Sequence, residues 1–99
     1  MVNPDIARTT AYRVENMIRC KWSLQILGLI RRGIRRPGAI VRHSKGLSPK
    51  VMNERLAKMV RFEILLKKVY AGLPLRVEYH LTDFGKRFIR ILDAIARLK

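Results

Sequence analysis

Lys50, Asn53 and Glu54 bring an ammonium, a carboxamide and a carboxylate close together just after the pair Ser48-Pro49. On a helix, positions three and four apart are neighbours, so these groups share one side. They are the groups that read base edges in a major groove: Lys reaches the guanine acceptors, Asn pairs with adenine, and Glu accepts from the cytosine amino group. Ser48 and the open N–H groups of the first turn suit a phosphate, a contact that positions without specifying. Arg36, Arg42 and Lys45, with Arg35 and His43, flank the preceding turn; Lys58 and Arg61 extend the basic side of Lys50 and Glu54, and Lys67, Lys68 and Arg76 follow. Each of these is either a phosphate or minor-groove contact or a solvated surface charge.

Catalysis would need converging acids, bases or ligands. His43 and His80 stand apart, the seven carboxylates are scattered, and no metal-ligand spacing occurs. The chain is therefore expected to be no enzyme and to need no cofactor. Cys20 has two readings: a redox-sensing thiolate, if it is exposed beside Arg19 and Lys21, or a buried inert thiol, the commoner fate of a free cysteine.

The elements that must position these residues can be read from capping and periodicity. Pro4 and Asp5 open a helix to about Met17, and Lys21 to Arg32 form a largely apolar helix closed by Gly33. Pro37 starts a short helix ending before Lys45. Ser48 caps a helix to about Phe62, with Met52, Leu56, Met59 and Val60 inward. Ile64 to Tyr70 and Leu75 to Leu81 read as a hairpin, and Thr82 caps a last helix through Leu98. That helix carries Phe84, Phe88, Ile91, Leu92, Ile95 and Leu98, an apolar stripe wider than one core needs.

Twenty-two Lys and Arg against seven Asp and Glu give a net charge of +15, which calls for a polyanionic partner. With 99 residues, 48% of them hydrophobic and 29% charged, the chain is expected to fold as a single domain, 1–99. No apolar run approaches the roughly 20 residues that span a bilayer, so no membrane partner is expected. No secretory signal is visible and Cys20 has no internal mate, which points to the cytoplasm. Charge alone would also suit a non-specific architectural DNA- or RNA-binding protein. Against a single-strand platform, Phe62, Tyr70, Tyr79, Phe84 and Phe88 do not interleave with basic residues on one sheet face.

The pairs and runs Lys21-Trp22, Gly46-Leu47-Ser48, Arg55-Leu56, Arg76-Val77-Glu78-Tyr79 and Leu81-Thr82 with Gly85 resemble the HxlR family over roughly residues 18 to 98. The resemblance implies a MarR-related transcriptional regulator of mainly α fold with a small β-hairpin wing: a winged helix-turn-helix with N- and C-terminal dimerisation helices, 5–17 and 83–98. It implies a homodimer on double-stranded DNA at a pseudopalindromic operator. The helix after Ser48 would lie in the major groove and the 71–76 hairpin tip would be the wing, with Arg76 near the minor groove. Two places depart from the family pattern. Pro37, Gly38 and Ala39 replace an aromatic and a polar pair, so the short helix starts differently. At Phe62-Glu63-Ile64 the usual glycine is missing, which predicts a recognition helix that runs on or ends with strain.

Overall fold

Side-chain caps set three of the helix starts in the computed structural model, which describes residues 9–98. Thr9 Oγ1 accepts from the Tyr12 N–H at 3.2 Å and opens α1, Thr10–Arg19. Ser48 Oγ accepts from the Val51 N–H at 3.1 Å and opens α4, Pro49–Arg61. Thr82 Oγ1 accepts from the Gly85 N–H at 2.8 Å and opens α5, Asp83–Ala96. Between them lie α2, Ser23–Arg31, and α3, Pro37–Arg42. Strands β1, Leu65–Tyr70, and β2, Arg76–Leu81, form one antiparallel hairpin in the register Leu65↔Leu81 to Tyr70↔Arg76. The mainly helical fold with a small wing is thus the one the sequence predicts.

Two boundaries differ from expectation. The opening of the first helix at Pro4 and Asp5 lies outside the described residues; the described part starts at Thr10 and runs past Met17 to Arg19. The second helix starts at Ser23 and not at Lys21, because Trp22 adopts a left-handed backbone, φ 77°. Arg55 Nε donates to the Lys21 carbonyl oxygen at 3.1 Å, holding this corner from another helix.

One hydrogen-bond pattern closes both α2 and α4. After α2, the Gly33 N–H donates to Ile30 O and the Ile34 N–H to Leu29 O, with Gly33 at φ 99°. After α4, Glu63 donates to Val60 O and Ile64 to Met59 O, with Glu63 at φ 62°. Thus α4 ends where the sequence reading put its end, in a left-handed cap that an L side chain tolerates poorly. Glu63→Gly is expected to relieve this strain and, net of the greater freedom of the unfolded chain, to stabilise the protein by about 0.5–1 kcal/mol. Urea unfolding checks this. An unchanged or lower midpoint would mean that the Glu63 side chain supports the cap.

The core lies where α2, α4, the base of the hairpin and α5 meet. Met17, Ile26, Ile40, Leu56, Met59, Ile64 and Phe88 are sealed from solvent. Each such side chain contributes roughly 1.5–3 kcal/mol by leaving water. Beyond this core, Ile18, Leu24, Ile91, Ile95 and Leu98 stay exposed. Leu24, Leu27, Gly28, Ile89, Leu92 and Ala96 line a groove of about 170 Å³ between α2 and α5. Among the described residues no helix is long and apolar enough to cross a membrane.

Candidate nucleic-acid interface

Inward anchors orient α4. Met52, Leu56 and Met59 are buried, which turns Lys50, Asn53, Glu54, Ala57 and Arg61 to solvent. Among the described residues, the charged and amide groups of Lys50, Asn53, Glu54 and Arg61 make no side-chain hydrogen bond or ion pair within the chain. They are free to meet another molecule.

Lys58 is not on this face. At about 100° per residue it sits about 80° around the helix from Lys50, whereas Arg61 returns to within about 20°. Its Nζ donates to Cys20 Sγ at 2.8 Å and lies 5.6 Å from the centre of the Phe62 ring. Arg61, which the sequence projection also places outward, stays on the outer face together with Ala57. Ser48 remains exposed, but its oxygen already accepts from the helix it caps, leaving its O–H to donate outward.

Arg36 and Arg42 come together with the wing. They line a groove of about 420 Å³ shared with Pro37, Gly38, Leu75 and Val77, so the N-terminal part of α3 faces the hairpin tip across it. Pro37 does open α3, as its fixed φ favours at a first turn. Lys45 is exposed in the turn between α3 and α4, and Lys68 is exposed on β1 opposite Glu78.

Arg76 stands on the last rung before the tip and is held there. Its guanidinium lies 4.4 Å from the centre of the Tyr70 ring, and its Nε is 3.4 Å from Glu78 Oε2. Glu78 also meets His80 Nε2 at 2.9 Å. That hydrogen bond, helped by the charges of Arg76 and Arg36 against a smaller desolvation cost, keeps the Glu78 carboxyl below the usual carboxylate range. An ionised Glu78 thus orients Arg76 while offsetting part of the positive charge at the base of the wing. Burial pushes the Tyr79 hydroxyl of the same strand up.

These elements, a short helix, a capped helix with a free polar face and a basic hairpin in one array, correspond to a known family model. Residues 17–99 match the HxlR-like helix-turn-helix. The chain belongs to the HxlR family. An uncharacterized HTH-type transcriptional regulator of Synechocystis is 33% identical over 85 residues, covering 86% of this chain and 63% of that protein. Another from Methanothermobacter thermautotrophicus is 32% identical over 80 residues, covering 81% and 61%. The chain thus spans about three fifths of the length of these curated relatives. A MarR-family regulator of Enterococcus faecalis V583 superposes with a TM-score of 0.80 at 24% identity, covering 97% of this chain and 84% of that one. One from Porphyromonas gingivalis W83 gives 0.73 at 28% identity, covering 98% and 92%. The expectation of a non-enzyme agrees with the family, whose members here are described as regulators of transcription.

Most HxlR signature residues build the scaffold. Trp22 packs beside Gly46, where a Cβ would come within 3.7 Å of the indole. Arg55 ties α4 to the Lys21 carbonyl, and Leu47 and Leu56 are buried. Thr82 Oγ1 donates to Glu63 O at 2.6 Å while capping α5. Cys20 fits neither sequence reading fully. It is half-buried, and the cation at its sulfur is Lys58, not Arg19 or Lys21.

Proposed function

We propose that this HxlR-family chain is a sequence-specific regulator of transcription that binds double-stranded DNA as a homodimer at a pseudopalindromic operator. The chain acts as one domain. Its α4 enters the major groove, the 71–76 hairpin tip serves as the wing, and α1 and α5 form the dimer contact. The observation that carries this reading is the outer face of α4: Lys50, Asn53, Glu54 and Arg61 are exposed and make no side-chain hydrogen bond or ion pair among the described residues, whereas Arg55 and Lys58 on the same helix are tied to the corner before α2. Groups that can donate and accept hydrogen bonds, left free on a helix of groove size, suit base edges better than a uniform phosphate track. Arg36, Arg42, Lys45 and Lys68 then act on phosphates, with Ser48 at the head of α4, and Arg76 acts at the minor groove. The exposed apolar residues of α5 and the groove beside α2 support a second copy as the occupant of that surface.

The test is selection of bound duplexes from a random pool at about 150 mM salt, where backbone attraction is screened. An enriched inverted repeat is expected. Retention of duplex without any motif would favour an architectural role, and retention of RNA in place of duplex would overturn the DNA reading. Repeated with variants, the same selection separates the roles of two lysines. Lys50→Ala is expected to relax preference at one base position, at a cost of about 1–3 kcal/mol on the best site. Lys68→Ala is expected to weaken all duplexes alike and to lower the salt slope by about 1. Equal losses on every sequence for both would remove Lys50 from base readout.

A further inference from the structure

A third concave surface lies where the end of α2, the end of β2 and the middle of α5 meet. It is a cavity of about 380 Å³. Ile30 and Ile89, both buried, form its floor, while Arg31, Arg35, Lys86 and Arg90 rise around it with His80 at one side. None of these residues belongs to α3, α4 or the hairpin tip.

The cations differ in how they are balanced. Arg31 Nη1 lies 2.7 Å from Asp93 Oδ2, and His80 is held by Glu78. Arg35, Lys86 and Arg90 have no carboxylate partner among the described residues. Lys86 and Arg90 are one turn apart on α5, a like-charge spacing that destabilises a helix. Arg35 is fixed against the strand, since its carbonyl accepts from the Tyr79 N–H at 2.9 Å. Three uncompensated cations thus converge on a recess with an apolar floor, where low-dielectric walls focus their field. The volume falls in the range of small-molecule sites.

We propose that this cavity is a binding site for a small polyanion, a compact molecule bearing two or more phosphate or carboxylate groups. The inference uses none of the residues assigned to DNA, although Arg31 and Ile89 also line the neighbouring groove proposed for the second copy. Fork-shaped guanidinium groups at Arg35 and Arg90 suit the paired oxygens of either anion, and Lys86 adds a point charge.

Calorimetric titration of the full chain with inorganic pyrophosphate and, separately, citrate at about 150 mM NaCl tests the site under screened conditions. Two double variants remove the same charge: Lys86→Ala with Arg90→Ala inside the cavity, and Arg36→Ala with Arg42→Ala outside it. Saturable binding of at least one probe, weakened about tenfold or more by the cavity pair and under about twofold by the outer pair, is expected for charge-assisted contacts. Lys86→Gln with Arg90→Gln keeps the helical side-chain stems and should repeat the loss, should the alanine pair unfold. Pyrophosphate alone would assign the site to phosphate groups, and citrate alone to carboxylates. Equal weakening by both pairs would reduce the effect to general attraction to a basic protein and overturn the site. So would the absence of saturable binding by either probe.

Discussion

Gly85→Ala is expected to destabilise the protein by about 3 kcal/mol, through overpacking together with loss of a helix cap. A Cβ at position 85 would run into the carbonyl oxygen of Ile64 and come within 3.2 Å of Thr82 Oγ1. Both the glycine and the struck carbonyl are backbone, so no flexible side chain can yield. The same carbonyl accepts from the Thr82 N–H at 3.1 Å, and Thr82 Oγ1 reaches the neighbouring Glu63 O, so α5 cannot move off without giving up this junction. A loss of this size corresponds to a drop in melting temperature of roughly 12–24 °C for a domain of this length. Gly28→Ala is the internal comparison: nothing lies within 4 Å of its would-be Cβ, and the residue is inside α2. There the same substitution should stabilise by about 0.5–1 kcal/mol. Thermal unfolding of both at one protein concentration checks the pair. A mild effect at Gly85 would mean that the α5–β1 junction is looser than its hydrogen bonds indicate.

The second large effect is expected from Ile91→Gln together with Ile95→Gln. Both side chains are 40% exposed on the flank of α5 that extends past the core, so their loss leaves the folded protomer largely intact. Glutamine keeps the helix and adds no charge, so a change in DNA binding is not due to altered attraction for phosphate. If α5 forms the proposed dimer contact, two polar amides there shift the protein toward monomers in sedimentation. Affinity for the full inverted repeat should then fall about 100-fold or more, because two linked half-site contacts become independent ones. Affinity for a single half-site should hardly change. A variant that stays dimeric and keeps its operator affinity would place the dimer contact elsewhere.

Local chemistry made most of the fold legible. Ser48-Pro49 announced α4 because a cap and a fixed φ act within one turn, and Met52, Leu56 and Met59 then set its direction. Thr82 did the same for α5. What stayed hidden depends on distant partners. The left-handed Trp22 makes sense only with Arg55 donating to the preceding carbonyl and Gly46 leaving room for the indole. The strain expected at the end of α4 was visible as a missing glycine, yet that the helix stops at Arg61, with Glu63 left-handed just beyond, depends on the two capping hydrogen bonds from Glu63 and Ile64. A coarse helical projection groups Lys58 with Lys50, Glu54 and Arg61, whereas its contact with Cys20, a partner from another element, takes it to the flank. The cationic cavity draws on α2, the loop after it, β2 and α5, so no window of sequence contains it; its one local trace was the pairing of Lys86 with Arg90.

The grip on α4 has a further meaning. Arg55 and Lys58 fasten this helix to the corner between α1 and α2, while Lys50, Asn53 and Glu54 face away from that corner. In the proposed dimer, one side of the helix measures and the other spells. The distance between half-sites is written into the inward side and the body behind it, and the letters read are written on the outward side. A lineage carrying this chain can therefore change its operator's wording by outward substitutions alone, on a ruler that stays the same length.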